Sequence, residues 1–165
     1  MKTLLAAIVL LLPIHAIAGP LERPTGPVVL TISGNVTHMN ADGVAEFDLA
    51  MLERLQGRAA TMETPWTDGS TAFEGPLLAA VLEAAGASGS LLKVKALNDY
   101  AAEVPIEDAS TIETMLATRM NGEIMSVRDK GPLFLIYPFD NRPDLYNEKY
   151  FSRSVWQIKE IEVQD

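Results

Sequence analysis

The sequence predicts an α+β domain that is mainly β, with short helices packed on mixed, barrel-like sheets. Short apolar and β-branched runs recur along the chain, separated by turns rich in Gly, Pro and Asn, which is the pattern of β-strands. Only two stretches show the apolar spacing of a helix. Because no internal repeat and no linker divides the chain, one domain is expected over residues 19–165.

Residues 1–18 are interpreted as an export signal peptide. Lys2 supplies a basic start, residues 4–12 form an apolar core, and Ala16-Ile17-Ala18 fits a cleavage site of small residues. The apolar core is shorter than the roughly 20 residues that span a bilayer. We therefore expect a periplasmic protein whose mature chain begins at Gly19 and does not insert into the membrane.

Composition excludes several classes of site. The chain has 165 residues, a formal net charge of −9, no Cys and two His, of which only His38 follows the predicted signal. An acidic protein is not expected to bind nucleic acid. Disulfides, Cys-based zinc and iron–sulfur sites and Cys nucleophiles are excluded, because each needs thiol groups. A Ser-His-Asp triad is not expected either, since His38 lies in a polar turn.

The N-terminal part of the domain predicts strands and one short helix. The β-branched run 28–32 predicts a buried strand, and residues 44–47 a second, shorter one. Asp48 suits a helix N-cap, since its carboxylate can accept hydrogen bonds from the free N–H groups of the first turn. This helix is expected to end at Gly57, and residues 58–63 return as a strand.

The stretch from Thr61 to Gly86 predicts the end of that strand, a polar loop that holds Trp66, and then a helix. Pro76 suits the first helical position, and the apolar residues up to Ala85 keep helical spacing. Loops carry binding residues while the scaffold positions them. The Trp66 loop is therefore the first candidate for a site.

The residues around Asn121-Gly122 predict a hairpin. Residues 112–120 fit either a helix or a strand, but Asn-Gly suits a type I′ turn, in which both central residues need a positive φ. We therefore expect residues 115–120 to pair with residues 123–127.

Further extended segments are predicted at 91–97, 101–105, 133–137 and 155–163. In the last of these the apolar parity slips between Ile158 and Ile161, which predicts a bulge. Residues 138–152 are predicted to form a long polar and aromatic loop, and loops of this length are usually functional or mobile.

The loops supply the groups that a flat, polar heteroaromatic ligand needs. Such a ligand stacks on an aromatic side chain, for which Trp66 and Trp156 are candidates. Its amidine-like edge pairs with a carboxylate or amide, which the Asn98-Asp99-Tyr100 segment provides. Arg128 and Arg153 are candidates for binding an anionic tail.

Each of these residues also has a purely structural interpretation. The two Trp side chains can pack in the core or at its rim, and Asn98-Asp99 can form a turn that bonds to its own backbone. Arg128 can belong to a solvated turn. The Tyr-rich loop 138–152 can instead contact a partner protein, because Tyr, Trp and Arg dominate the energetics of interfaces.

Seven segments, taken together and in order, resemble a known family, although no single one of them is specific. They are V-V-L-T-I-S-G (28–34), F-D-L-A-M-L-E-R-L (47–55), F-E-G-P-L-L-A-A-V-L-E-A-A-G (73–86), L-N-D-Y-A-A-E-V-P (97–105), M-N-G-E-I-M (120–125), G-P-L-F-L-I-Y-P (131–138) and W-Q-I-K-E-I-E-V (156–163). In this order they resemble the molybdopterin-binding domain of the sulfite oxidase family. The resemblance covers most of residues 19–165 and implies a sulfite-oxidase-like fold.

The chain departs from that family at one functional position. The family's enzymes carry a cysteine thiolate that binds molybdenum, between a strand and the F-x-G-x-x-L helix. Here the corresponding region reads T-M-E-T-P-W-T-D-G, and the whole chain has no Cys. Thiolate is the soft ligand that such a site uses, and neither Thr nor Trp replaces it. Molybdenum and oxo-transfer catalysis are therefore not expected, whereas a pterin pocket is.

The T-P-W loop, L-N-D-Y and V-R-D-K-G-P-L-F-L-I-Y-P look like a group of small periplasmic proteins that bind pterins without metal. The resemblance implies a reduced pterin ligand, such as tetrahydromonapterin or a neopterin relative. It also implies a partner, the periplasmic domain of a membrane-bound cyclic-di-GMP enzyme of GGDEF/EAL type, whose synthesis and breakdown activities the protein regulates.

The leading hypothesis is thus a non-enzymatic pterin sensor. Trp66 is expected to wall the pterin, and Asn98, Asp99 and Tyr100 to shape the pocket edge. Four further residues are assigned as lesser contacts with the ligand or partner: Arg119, Arg128, Arg153 and Trp156. Two alternatives stay open, a divergent molybdopterin-dependent oxidoreductase and an interaction module that uses loop 138–152.

Overall fold

The structure, a computed structural model, describes residues 21–165, so the predicted signal peptide at 1–18 lies outside the described residues. The strands of this range are β1 (Val28–Gly34), β2 (Ala45–Asp48), β3 (Gly57–Glu63), β4 (Ser70–Pro76), β5 (Leu91–Ala96), β6 (Ala101–Pro105), β7 (Met115–Ala117), β8 (Arg119–Met120), β9 (Glu123–Ile124), β10 (Phe134–Ile136) and β11 (Ile158–Gln164). They form sheets of order β2-β1-β11-β5-β6, β3-β4-β8-β9 and β10-β7. Each sheet is open, so the expected barrel-like closure is wrong, and the strands form three separate sheets.

The helices are short. They are α1 (Leu49–Glu53), α2 (Leu78–Ala84), α3 (Glu107–Ser110) and α4 (Glu148–Arg153), with 3-10 turns at Val127–Asp129 and Pro143–Leu145. Within residues 21–165, no helix is long and apolar enough to cross a membrane. The predicted class, a mainly β α+β domain, is confirmed.

The five-stranded sheet is mixed. β1 runs parallel to β11, while β2, β5 and β6 add antiparallel neighbours. The register of β11 against β5 shifts between Ile158 and Glu160, which confirms the bulge predicted from the slip in apolar parity. One face of this sheet buries Leu30, Ile32 and Val94 in the core, because side chains alternate between faces along a strand.

The four-stranded sheet contains a strand that the sequence prediction missed. Residues 70–76, predicted as loop and helix start, form β4, which pairs with β3 on one side and β8 on the other. Its Phe73 is almost fully buried. The prediction for Pro76 was wrong, because Pro76 closes β4 and α2 begins at Leu78 after Leu77 as its N-cap.

The Asn121-Gly122 turn is confirmed, but the hairpin around it is shorter than expected. Both residues have a positive φ, 53° and 83°, and β8 pairs with β9 across them. Residues 115–117 leave this hairpin and pair with β10 in a separate sheet. The reason is Thr118, whose N–H and hydroxyl both donate to the Glu74 carbonyl and mark the crossing from one sheet to the other.

The long loop expected at 138–152 holds the 3-10 turn and α4, so it is largely ordered structure. The α4 helix begins after Asn147, whose side-chain oxygen accepts a hydrogen bond from the Lys149 N–H at 3.1 Å. One hydrophobic cluster joins all three sheets, and no described buried side-chain N or O atom lacks a hydrogen-bond partner.

We predict that Asp48→Asn lowers the thermal midpoint at pH 7. Asp48 caps α1 as predicted, accepting from the N–H groups of Gly26, Met51 and Thr25, each at 2.8 Å. The Gly26 and Met51 donors hold the pKa of this carboxyl below its ordinary value. Its stabilisation is therefore present above the unfolded-state pKa of about 3.9 and disappears as the pH falls through the lower folded-state pKa.

Thermal melts followed by circular dichroism from pH 7 to pH 2 test this expectation. The difference between wild type and variant should narrow at the acid end. Asp42→Asn, which changes an exposed acid in the preceding turn, is the matched control. A difference that stays constant down to pH 2 would contradict the assigned role of Asp48.

Candidate functional site

The loop between β3 and β4 presents Trp66 to the interior. Thr64, which is buried, fixes the loop: its hydroxyl accepts from the Trp66 N–H at 3.3 Å and lies 2.8 Å from the Thr67 hydroxyl. A short polar side chain that bonds to the backbone two residues further on is typical of a tight turn. The turn sets the direction in which the indole leaves the backbone.

The indole of Trp66 is the centre of an aromatic cluster. Its ring centroid lies 5.5 Å from that of Phe134, 5.7 Å from Phe151, 6.0 Å from Trp156 and 6.4 Å from Phe139. These distances are typical of edge-to-face and tilted aromatic contacts. Trp66 therefore packs against the core, as the structural alternative for this residue predicted.

The same Trp also lines a cavity of about 400 Å³. Its walls come from Trp66 and Trp156, from the turn after β5, and from α4 with the residues that follow it. The lining residues are Trp66, Ala96, Asn98, Tyr100, Glu148, Phe151, Ser152, Ser154, Val155 and Trp156. The size lies within the range of small-molecule sites.

The turn after β5 forms one rim of the cavity. The Asn98 side-chain oxygen accepts from the Tyr100 N–H at 3.2 Å, and the Tyr100 hydroxyl donates to the Ser152 carbonyl at 3.1 Å. The Tyr100 contact ties the turn to α4 across the cavity. Asp99 does not line the cavity. Its backbone has a φ of 66°, and its Oδ1 lies 2.9 Å from the Lys159 Nζ. This hydrogen bond lowers the pKa of Asp99.

The carboxylate in the cavity lining is Glu148, which sequence reasoning missed. It lies in the first turn of α4, with Phe151 and Ser152 of the same helix in the lining. One sequence feature could have predicted α4: Asn147 precedes a short charged and aromatic run, and Asn is favoured as a helix N-cap. Because this run lacks the apolar spacing of a helix, the hydrophobic pattern of the sequence did not predict α4.

The predicted arginines do not line this cavity. Arg119 forms an ion pair with Glu53 at 2.8 Å beside a separate hollow near β3 and β4. Arg128 is exposed in a 3-10 turn. Arg153 donates to Asp108 at 2.8 Å, on the side of α4 away from the cavity lining.

Arg153 belongs to a buried polar network. The Asp108 carboxylate also accepts from the Tyr137 hydroxyl at 2.6 Å, and the Arg153 guanidinium lies 5.7 Å from the centre of the Tyr150 ring. Burial first, and then the bond to Asp108, raise the pKa of Tyr137 far above its ordinary value. Tyr137 therefore stays protonated and donates a hydrogen bond to Asp108, in a network that holds the C-terminal end of α4.

One cation lies beside the cavity. The Lys130 ammonium lies 5.3 Å from the centre of the Trp156 ring. The Lys130 backbone has a φ of 71°. Cation–π contact at this distance is favourable. Aromatic walls, one carboxylate and a neighbouring cation can bind a flat heterocycle that has N–H donors along one edge. The Trp66 and Trp156 rings touch at a 60° tilt, so a ligand would lie against one ring and not between them.

The structure is thus an α+β domain of three open sheets, one of them mixed, with short helices and an aromatic-walled cavity. The chain belongs to the family described as the oxidoreductase molybdopterin binding domain, whose model matches residues 32–165. The resemblance to this family inferred from the sequence is thus confirmed.

A solved structure with the same fold supports this assignment. The sulfane dehydrogenase SoxCD from Paracoccus pantotrophus superposes with a TM-score of 0.62 at 20% identity. The match covers 89% of this chain and 40% of the dehydrogenase chain, so the present chain spans less than half of it. At this identity the likeness concerns the fold alone. No curated protein sequence matches the chain.

The residues present fit the pterin part of molybdopterin better than its metal. None of the 165 residues is a Cys, so this chain offers no thiolate to molybdenum. Among residues 21–165, no cluster of three or more His, Asp or Glu side chains could replace it. Trp66, Trp156 and Glu148 do suit a pterin, whose ring stacks and whose amino-pyrimidine edge donates hydrogen bonds.

We predict that Arg153→Met destabilises the fold by about 2 kcal/mol. The change leaves the Asp108 carboxylate buried with one neutral donor, and removing one partner of a buried ion pair is costly. The figure lies below the range for full burial because the Arg153 side chain keeps 19% of its surface exposed. Urea unfolding followed by circular dichroism measures the loss.

Arg142→Met is the matched control for this variant. Arg142 also pairs with an aspartate, Asp144, at 2.7 Å, but both side chains are largely exposed. Exposed pairs contribute little. Equal losses in the two variants would mean that the buried network does not hold α4.

Proposed function

We propose that this protein binds a reduced pterin and acts as a sensor, without catalysing a reaction. The observation that carries the proposal is the 400 Å³ cavity at the Trp66 loop, with aromatic walls and the Glu148 carboxylate in its lining. The family's domain binds a pterin cofactor, and this chain keeps the fold while lacking any thiolate for the metal.

The geometry suggests how the ligand lies. A pterin placed against Trp66 or Trp156 gains stacking and loses its hydration to an apolar wall. Its amino group and ring N–H then point two parallel donors at one edge, and a carboxylate can accept both. Glu148 takes the role that the sequence analysis gave to Asp99, because Asp99 is engaged by Lys159 outside the cavity lining.

The regulatory part of the proposal rests on sequence resemblance. The T-P-W loop and the L-N-D-Y turn look like periplasmic pterin-binding regulators, and both contribute to the cavity. We therefore place the protein in the periplasm, bound to the periplasmic domain of a GGDEF/EAL-type cyclic-di-GMP enzyme. Each partner should then raise the other's affinity by the same factor, since coupling between sites is reciprocal.

A second candidate is a divergent molybdopterin-dependent oxidoreductase. It is favoured by family membership, because the matched family is an oxidoreductase domain. Elemental analysis of protein purified from a molybdenum-replete periplasm decides between the two. Stoichiometric molybdenum supports the oxidoreductase, whereas a metal-free pterin identified by mass spectrometry supports the sensor.

We predict that Glu148→Gln weakens the binding of tetrahydromonapterin by about tenfold, equivalent to 1.4 kcal/mol. The amide keeps one acceptor and turns the other into a donor that faces the ligand's N–H. Anaerobic titration followed by tryptophan fluorescence gives the Kd. The exposed position of Glu148 makes the change safe for folding.

Two controls accompany this titration. Glu107→Gln makes the same change on α3, outside the cavity lining, and should leave the Kd unchanged. Trp66→Phe keeps an aromatic wall and should bind more tightly than Trp66→Ala. The proposal fails if no reduced pterin binds, or if Glu148→Gln and Glu107→Gln behave alike.

A further inference from the structure

The outer edge of β3 has backbone groups that no described strand uses. β3 pairs only with β4 and forms one edge of its sheet. The Leu77 N–H donates to the Gln56 carbonyl at 2.9 Å. Since hydrogen-bonded pairs alternate along an antiparallel ladder, the even-numbered residues of β3 direct their backbone N–H and C=O groups toward β4. Four odd-numbered residues therefore direct their N–H and C=O groups outward, and all four are exposed: Gly57, Ala59, Thr61 and Glu63.

The far side of β4 confirms this alternation. The Glu74 and Ala72 carbonyls accept from the N–H groups of Thr118 and Asn121, at 2.9 and 2.8 Å. Even-numbered residues of β4 thus face β8, which leaves its odd-numbered residues to face β3. Within residues 21–165, no backbone hydrogen bond beyond the β3–β4 ladder engages the outward groups of β3.

The other long edges of the described sheets are protected. On β2, the Asn40 side chain accepts from the Glu46 N–H and donates to the Glu46 carbonyl, both at 2.8 Å. On β6, Glu103 is exposed and Pro105 lacks an N–H. Charges, Pro and covering groups are the usual protection of sheet edges. The central part of β3, from Gly57 to Thr61, has none of these on its outward residues.

Two hollows lie over the face of the sheet that β3 shares with β4 and β8. Ala59, Thr61 and Ala72 are small, and with their neighbours they line a hollow of about 220 Å³. A second hollow, of about 530 Å³, extends from Gly57 across β4 to Arg119. In strand addition, backbone bonds supply affinity and such hollows accept alternate side chains.

Charge decides which occupant fits. Arg58 is already neutralised, because its guanidinium binds both Asp140 oxygens at 3.2 and 2.8 Å and lies 3.9 Å from Glu113. Glu63 remains exposed on β3, and Asp140 with Glu113 exceeds the charge of Arg58 by one negative unit. Glu74 lies opposite Arg119 on the β8 side and is not counted. A second copy of a chain of net charge −9 would bring like charges to this edge, whereas a basic segment would find complementary ones.

We propose that β3 binds an extended, basic segment of a partner protein, which adds to the sheet as a further strand. The proposal does not rest on the proposed pterin binding, because none of these residues lines the cavity at Trp66. The hairpin loop that carries Trp66 continues directly from β3, so an added strand would lie next to the ligand loop.

The test uses three synthetic peptides on the full mature chain. One alternates Lys and Val, one alternates Glu and Val, and one is the Lys-Val peptide with two central prolines. Amide hydrogen exchange by NMR should show fast exchange at Ala59 and Thr61 in the free protein, with Ala60 and Met62 protected. The Lys-Val peptide alone should slow exchange at Ala59 and Thr61 by tenfold or more.

Ala59→Pro removes one outward N–H while leaving the ladder to β4 intact, and edge strands tolerate such a Pro. It should weaken peptide binding at least tenfold by fluorescence anisotropy, while Ala59→Ser should not. If Ala59→Pro fails to fold, the exchange data on wild type decide alone.

Three outcomes would overturn the proposal. The first is unchanged exchange at Ala59 and Thr61 with every peptide, and the second is equal binding of the acidic and basic peptides. The third is a dimer in analytical ultracentrifugation that Ala59→Pro dissolves, which would make a second copy the occupant. Pterin titrations run in parallel, so failure of either proposal is seen separately.

Discussion

The carboxylate of Asp108 is the polar group on which the cavity wall depends. It accepts hydrogen bonds from Tyr137, which follows β10, and from Arg153 at the end of α4. A buried carboxylate is tolerated only when it is paired and fully bonded. Since α4 has six residues, far too few to be stable alone, these bonds and the ring contacts of Phe151 fix its position. Through α4 they also place Glu148 and Ser152 at the cavity.

Strong local signals made part of the fold predictable. Asp48 caps α1 through its own side chain, and Asn121-Gly122 forms a turn in which both residues have a positive φ, as Asn-Gly prefers. The parity slip near Ile158 was also readable, because a bulge changes the alternation of the strand that contains it. Each feature is set by a few neighbouring residues, which is what sequence reasoning detects.

The missed elements depend on distant partners. β4 reads S-T-A-F-E-G-P, with Gly and Pro that suggest a loop, yet Gly75 is required there: a side chain would meet the Leu116 carbonyl at 2.1 Å from its Cβ. Its stability comes from strands on both sides. Four of the residues named from the sequence, Trp66, Asn98, Tyr100 and Trp156, line one cavity. The carboxylate in the cavity lining was not predictable from the sequence. It depends on the ion pair between Asp99 and Lys159 and on α4, which the sequence analysis did not detect.

The β3–β4 hairpin connects the two surfaces for which we propose binding, the cavity at Trp66 and the outer edge of β3. Its loop holds Trp66 in the aromatic cluster. Of its two strands, β4 pairs on both sides, whereas β3 pairs with β4 only. An added strand would restrict the backbone of β3 up to Glu63, one residue before the Thr64 turn that orients Trp66. A ligand that packs on Trp66 restricts the same turn from its other end. If strand addition has already ordered this turn, ligand binding no longer has to order it, and the reverse also holds. The two proposed events would therefore favour each other.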